Sequence, residues 1–263
     1  MQGRRDGKTL QRALMAAARL GVDGIELCAR TMIRPKEMSA TGLRQLRKML
    51  DDLNLRVAAV RFQTRRGYDN PQDLQQRVDA TKDAMRLAYQ VGASVVINQI
   101  GPVPPKQDGE DGKSDYSEKG QAFRSVVSDL GRHGAREGAF LAAETGTESG
   151  SDLAAFLDFG EDGHVAVALN PGNLIVNRHS VVDATEALKR RVEVVCACDG
   201  VLDLAAGRGL TVPLGQGTAD FPQLIGSLED VPYRGYYTVG RSGMSIETSI
   251  AELADAASYL RSL

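Results

Sequence analysis

The chain has 263 residues, 42% of them hydrophobic and 25% charged, enough to bury one sizeable core without a disulfide or a structural metal. With 32 Lys and Arg against 34 Asp and Glu the formal net charge is −2, which gives no support to wholesale nucleic-acid or membrane binding. Three cysteines build no disulfide framework, no apolar run reaches the length of a bilayer span, and residues 1–8 are polar and basic with no apolar stretch behind them. The expected setting is therefore cytoplasmic and reducing, with no secretory leader.

Residues 11–20 predict a first helix, alanine-rich and carrying Leu10, Leu14, Ala17 and Ala18 along one face; Gly21 ends it. Residues 22–29 (VDGIELCA) read as a strand, 41–53 as a helix with Leu43, Leu46, Leu50 and Leu53 three or four apart, and 55–62 as a second strand. Pro71 opens a long helix over 71–89, with Asp73 in its first turn and Gly92 after its end. Residues 94–100 (SVVINQI) are almost continuously apolar, as a strand covered on both faces requires. Residues 102–119 hold three prolines and no periodicity, which predicts a long loop. Four more strands, at 140–144, 165–170, 192–198 and 235–239, alternate with helices at 121–136, 151–159, 181–189, 221–228 and 250–263, and 200–214 reads as irregular.

This unbroken alternation, with no linker, argues a single α/β domain over 1–263. A repeat of roughly 30 residues is that of a β/α unit, so an eight-unit (β/α) barrel is the expected fold. No glycine fingerprint follows any strand, so no nucleotide cofactor is expected. Only seven strands are found. Residues 1–8 (MQGRRDGK) form strands poorly, so the first strand of the barrel is missing or truncated. Either the start lies too late in the gene or the barrel is open between its first and last strands.

Several segments, each at a predicted strand end, carry a family resemblance when taken in order: GVDGIEL at 21–27, FQTRRGYDNP at 62–71, SVVINQIGPVP at 94–104, AAETGTESG at 142–150, LNPGNLI at 169–175 and PLGQGTADF at 213–221. Together they resemble the sugar phosphate isomerase/epimerase family, which has the xylose isomerase-like TIM barrel. The resemblance implies a site at the C-terminal ends of the strands, holding one divalent metal (Mn, Mg, Co or Zn). Its ligands would be a Glu, an Asp, a His and a second Glu on the family's fifth to eighth strands. The two glutamates would also shuttle the proton during epimerisation next to a carbonyl. Glu144 matches the first position. The second is Asn170, the third Cys196, and Gly240 replaces the last, so the implied metal site is weakened or lost.

Individual residues support two readings each. Glu144 is the implied base or metal ligand, or it is the partner of a nearby arginine. Asn170 can offer a neutral oxygen and Asn173 can reach a sugar hydroxyl, or both shape a turn around Pro171. Cys196 can bind zinc as a thiolate; Cys196 and Cys198 share one strand face, and both can be reactive thiols or small core hydrophobes, as Cys28 is expected to be. Arg65 and Arg66 can clamp a phosphate or carboxylate, or form a solvated loop. Glu26, Asn98, Cys198 and Asp199 fall near strand tips and join the substrate-binding candidates. His133, His164 and His179 are expected to hold no metal, and three histidines cannot build the zinc-rich sites of the DNA-repair endonucleases that share this barrel.

Two functions follow from the resemblance: an isomerase or epimerase of a small sugar, sugar phosphate or polyol, or an impaired barrel that binds a carbohydrate-like ligand or a protein partner without turnover. An exposed barrel edge would favour a homodimer.

Overall fold

Helix α1 (Gly3–Arg19) begins eight residues before its predicted start and absorbs the segment that looked unsuited to a strand. Residues such as Arg4, Arg5 and Lys8 extend a helix readily, and Leu14 buries its apolar face. The computed structural model describes residues 3–108, 114–160, 164–203, 208–240 and 246–263. From α1 the chain enters β1 (Gly24–Cys28), α2 (Ala40–Asp52), β2 (Arg56–Arg61), α3 (Leu74–Val91) and β3 (Val95–Asn98). A small hairpin of β4 (Gln107–Asp108) and β5 (Ser114–Asp115) precedes α4 (Glu118–Glu137), β6 (Phe140–Glu144) and α5 (Gly150–Phe156). Then come β7 (Ala166–Leu169), α6 (Pro171–Val176), α7 (Val181–Leu188), β8 (Val192–Ala197), the pair β9 (Asp199–Asp203) and β10 (Arg208–Val212), α8 (Phe221–Glu229), β11 (Tyr236–Val239) and α9 (Ile246–Arg261).

Seven strands form one parallel sheet in the order β1-β2-β3-β6-β7-β8-β11. β1 and β11 approach each other but share no ladder among the described residues. At this seam Tyr236 lies against Gly24, where an added Cβ would come within 3.2 Å of its ring. The α/β barrel with an unclosed seam and, among the described residues, no strand before β1 agrees with the expected missing first strand.

Alternation along the strands divides the core in two. Ala59, Val95, Ile97, Ala142, Ala166, Ala168, Val194 and Cys196 fill the bore. Barrel diameter grows with strand number, so a seven-stranded bore accepts small side chains, and alanines dominate it. The outward residues Val60, Val96, Leu141, Val167 and Val195 pack under the helices with Leu46, Met85, Leu130, Phe156 and Leu228. These larger side chains, at about 1.5–3 kcal/mol for each one fully buried, carry most of the apolar stabilisation.

One expectation is corrected, and one open reading gains its local structure. The stretch 200–214, expected to be irregular, contains the antiparallel hairpin β9–β10. Its glycines hid it, and they are there because the hairpin lies on α6: a Cβ at Gly209 would fall 2.6 Å from the Cα of Val176. Asn170 to Asn173, open between a turn and a site, start helix α6, with Pro171 in the first turn and the Asn170 side chain accepting from the Asn173 amide at 3.0 Å.

Candidate active site at the barrel mouth

Strands β1, β2, β6 and β8 bring Glu26, Arg61, Glu144 and Cys196 together at their C-terminal ends. Arg61 is at the centre. Its Nε donates to Glu26 Oε1 at 2.5 Å and its Nη2 to Glu26 Oε2 at 3.1 Å, a two-toothed pairing. Its Nη1 donates to Glu144 Oε1 at 3.0 Å, and its Nη2 also reaches Cys196 Sγ at 3.3 Å. Asn170 Nδ2 donates to Glu144 Oε1 at 3.0 Å and Gln63 Nε2 to Glu144 Oε2 at 3.2 Å. Glu144 thus accepts from three donors, while its side chain is only 3% exposed. The arginine partnership set out for Glu144 as the plainer reading is present.

Electrostatics follow this packing. Burial opposes the charge on Arg61, but the carboxylates of Glu26 and Glu144 outweigh it and hold the guanidinium above its ordinary pKa. Burial also pushes the Cys196 thiol well above its usual range, against the pull of Arg61. Cys196 is therefore a neutral thiol at neutral pH, and the two glutamates supply the counter-charge to Arg61. Cys198 is pushed up to about 11, first by burial and then by Glu144; its Sγ donates to the Gly240 carbonyl at 3.2 Å.

The remaining candidates lie elsewhere. Asp199 is a loop anchor: its carboxylate accepts from the amides of Gly200, Gly215, Gly217 and Ala219 at 2.8–3.1 Å. Asn98 is buried, accepting from Thr64 N at 3.1 Å and donating to Tyr68 Oη at 2.7 Å. Asn173 packs against Gly146. Arg65 and Arg66 line a separate groove outside the bore. Cys28, expected in the core, is only partly buried on β1. The sequence reading missed Arg61 and Gln63. The available signal was a charge ending the apolar run VAAV at a strand tip, where barrels place their functional side chains.

The profile of the xylose isomerase-like TIM barrel matches residues 14–263. The chain belongs to this family. Solved structures of xylose isomerase-like barrels superpose along nearly the whole chain. A xylose isomerase domain protein from Planctomyces limnophilus is 21% identical with a TM-score of 0.82, over 95% of this chain and 91% of that one. A xylose isomerase-like TIM barrel protein from Mycobacterium smegmatis, solved in complex with magnesium, is 20% identical with a TM-score of 0.71, over 95% and 86%. A sugar phosphate isomerase/epimerase from Parabacteroides distasonis is 15% identical with a TM-score of 0.67, over 98% and 90%. No curated protein matches the sequence.

Against the metal implied by this family, the donor set does not fit. Among the described residues no group of three or more His, Cys, Asp or Glu side chains is placed to hold a metal ion. Asn170 turns its amide nitrogen, a donor, toward Glu144, and Gly240 has no side chain. A fixed cation already sits between the two carboxylates, where a divalent ion would meet its repulsion. Among the described residues no helix is long and apolar enough to cross a membrane.

The raised thiols give a direct test. Between an ordinary thiol at 9.0 and Cys198 at about 11, the thiolate fraction near pH 8 falls roughly 100-fold. Iodoacetamide labelling followed by peptide mass spectrometry is expected to leave Cys196 and Cys198 almost unmodified at pH 8, with Cys198 modification climbing toward pH 11. The protonated thiol is the favoured folded form, so its stabilising contribution is complete below pH 9 and lost as pH rises through about 11. Rapid labelling at pH 8 would contradict the neutral-thiol assignment.

Proposed function

We propose that this barrel binds a small carbohydrate-like ligand at the C-terminal mouth of its strands without the metal-dependent proton exchange of isomerases and epimerases. The placement of the Arg61 guanidinium between Glu26 and Glu144 carries this reading. Two-base exchange needs a polarised carbonyl and a carboxylate free to take the proton. Here the lone pairs of Glu144 face Arg61, Asn170 and Gln63, and Gly240 can supply no second base. Glu26 and Arg61 keep 24% and 20% of their side chains exposed, enough to offer a charged edge to hydroxyl groups. A sugar, a sugar phosphate or a polyol presents such groups.

A second reading, an isomerase or epimerase with Glu144 as its base, is favoured by the survival of Glu144 at the tip of β6 and by the name of the Parabacteroides distasonis relative. One experiment separates the two. Protein offered manganese, cobalt and zinc is measured for bound metal by elemental mass spectrometry, then incubated in D2O with a panel of ketoses and ketose phosphates followed by NMR. The proposal expects no stoichiometric metal, ligand resonances broadened by binding, and no deuterium at the carbon next to the carbonyl. Deuterium incorporation abolished in Glu144→Ala would overturn it in favour of the isomerase.

A further inference from the structure

Arg65 and Arg66, singled out in the sequence as a clamp for an anion, make no described contact with the Arg61 cluster. They belong to a groove of about 550 Å³ between the segment after β1, the segment after β2 and the first half of α3. That volume is in the range of small-molecule sites. Six basic side chains line it, Arg30, Arg34, Lys36, Arg65, Arg66 and Arg77, against the carboxylates Glu37, Asp73 and Asp83. Two of these carboxylates are already used, Glu37 by Arg34 at 2.9 Å and Asp83 by Arg86. Among the described residues Lys36, Arg65 and Arg66 have no ion-pair or hydrogen-bond partner for their charged ends, so the groove holds uncompensated positive charge. Like charges gathered this way repel one another, and an anion relieves the cost.

The arginines are held in place, too. Thr64 N is fixed on the buried Asn98, Thr64 Oγ1 donates to the Arg66 carbonyl at 2.8 Å, and Tyr68 N donates to Ile100 O at 2.6 Å. Arg77 spends both terminal nitrogens on the carbonyls of Gly67, Asn70 and Gln72, while its Nε–H is buried without an acceptor. Arg77 thereby ties α3 to the loop that carries Arg65 and Arg66. Phe62, Pro35 and Ala80 give the wall an apolar part.

We propose that this groove is a binding site for a phosphorylated small organic molecule, its phosphate held by Arg65 and Arg66 and its organic part resting on Phe62, Pro35 and Ala80. Guanidinium forks match phosphate oxygens two at a time, and a pinned loop loses little freedom on binding. The bounded volume and the net charge of −2 favour a small ligand over a nucleic acid. The groove shares no lining residue with the cluster of Glu26, Arg61, Glu144 and Cys196, and the proposal does not depend on the function proposed for that cluster.

The test is titration calorimetry of the full chain with phenyl phosphate, and with inorganic phosphate and phenol as its two halves. One saturable site is expected for phenyl phosphate, weaker binding for inorganic phosphate and none for phenol. The R65A/R66A double variant, altered only at exposed positions and checked by circular dichroism, is expected to bind phenyl phosphate more weakly by about tenfold or more. Arg44→Ala, on the outer surface of α2, is expected to bind it as the parent does. No saturable binding of phenyl phosphate, or equal affinity in R65A/R66A, would overturn the proposal. So would affinity for a single-stranded oligonucleotide that exceeds that for phenyl phosphate and grows with length.

Discussion

Replacing Arg61 with alanine is expected to destabilise the barrel and, at the same time, to give it an affinity for divalent cations that the parent lacks. Glu26 and Glu144 face each other only because the guanidinium lies between them, at 2.5 Å from one and 3.0 Å from the other. Removing one partner of a largely buried charge cluster costs about 3–5 kcal/mol, and the partial exposure of Glu26 places this case at the lower end, about 3 kcal/mol. For a chain of this size that is roughly 6–12 °C in melting temperature. Two carboxylates left without a counter-charge, with the Cys196 sulfur beside them, then form a cation site. Manganese or zinc is expected to raise the melting temperature of Arg61→Ala and leave that of the parent unchanged, with metal content read by elemental mass spectrometry. Equal metal binding by parent and variant would show that Arg61 is not what excludes the ion. Arg61→Lys is expected to keep the exclusion while losing part of the stability, since a point charge replaces a fork that serves both glutamates.

Replacing Asp199 with alanine is expected to cost about as much, by a different route. This carboxylate is 1% exposed and terminates four backbone N–H groups, three of them in the segment 215–219 that closes over the end of β8. Each buried donor left without an acceptor costs about 1–3 kcal/mol. Part of the 215–219 segment can turn to water, so a total of about 3–4 kcal/mol is expected, with about half of that for Asp199→Asn, which keeps one acceptor oxygen. Urea unfolding gives the total. Amide exchange at Gly200, Gly215, Gly217 and Ala219 gives the mechanism: all four are expected to lose protection in Asp199→Ala. Unchanged exchange at these amides would contradict the anchor role.

Strand positions were legible because these apolar runs are too short for a helix, rich in β-branched residues and bounded by glycine, as strands of a sheet covered on both faces are. The strand end at Glu144 was read to the residue for that reason. What could not be read was partnership. Arg61 is 35 positions from Glu26 and 83 from Glu144, and only the rolling of the sheet brings the three together. Asp199 looked like a substrate residue because an acid at a strand tip commonly is one. Its true partners are backbone amides, whose trace in the sequence is no more than the small residues Gly215 and Gly217; a Cβ on the latter would come within 2.0 Å of the carboxylate. Hairpin β9–β10 was obscured in the same manner, its glycines serving close approach to α6. The start of α6 was more accessible, since an asparagine followed by proline is a pattern that opens helices.

The seam between β1 and β11 makes the barrel a rolled strip with two lips. Anywhere else around the circumference, widening it means breaking backbone hydrogen bonds; along this one line it means sliding Tyr236 off Gly24. The seam is therefore the line along which the bore offers least resistance to opening. Glu26 rides on one lip and is fastened to Arg61 on the neighbouring strand, while on the other side the Cys198 thiol reaches the backbone just past β11. Each lip is tied inward to its neighbour, and no described hydrogen bond joins strand to strand across the gap, so the aperture above Glu144 can change width while the charged cluster beneath it stays intact.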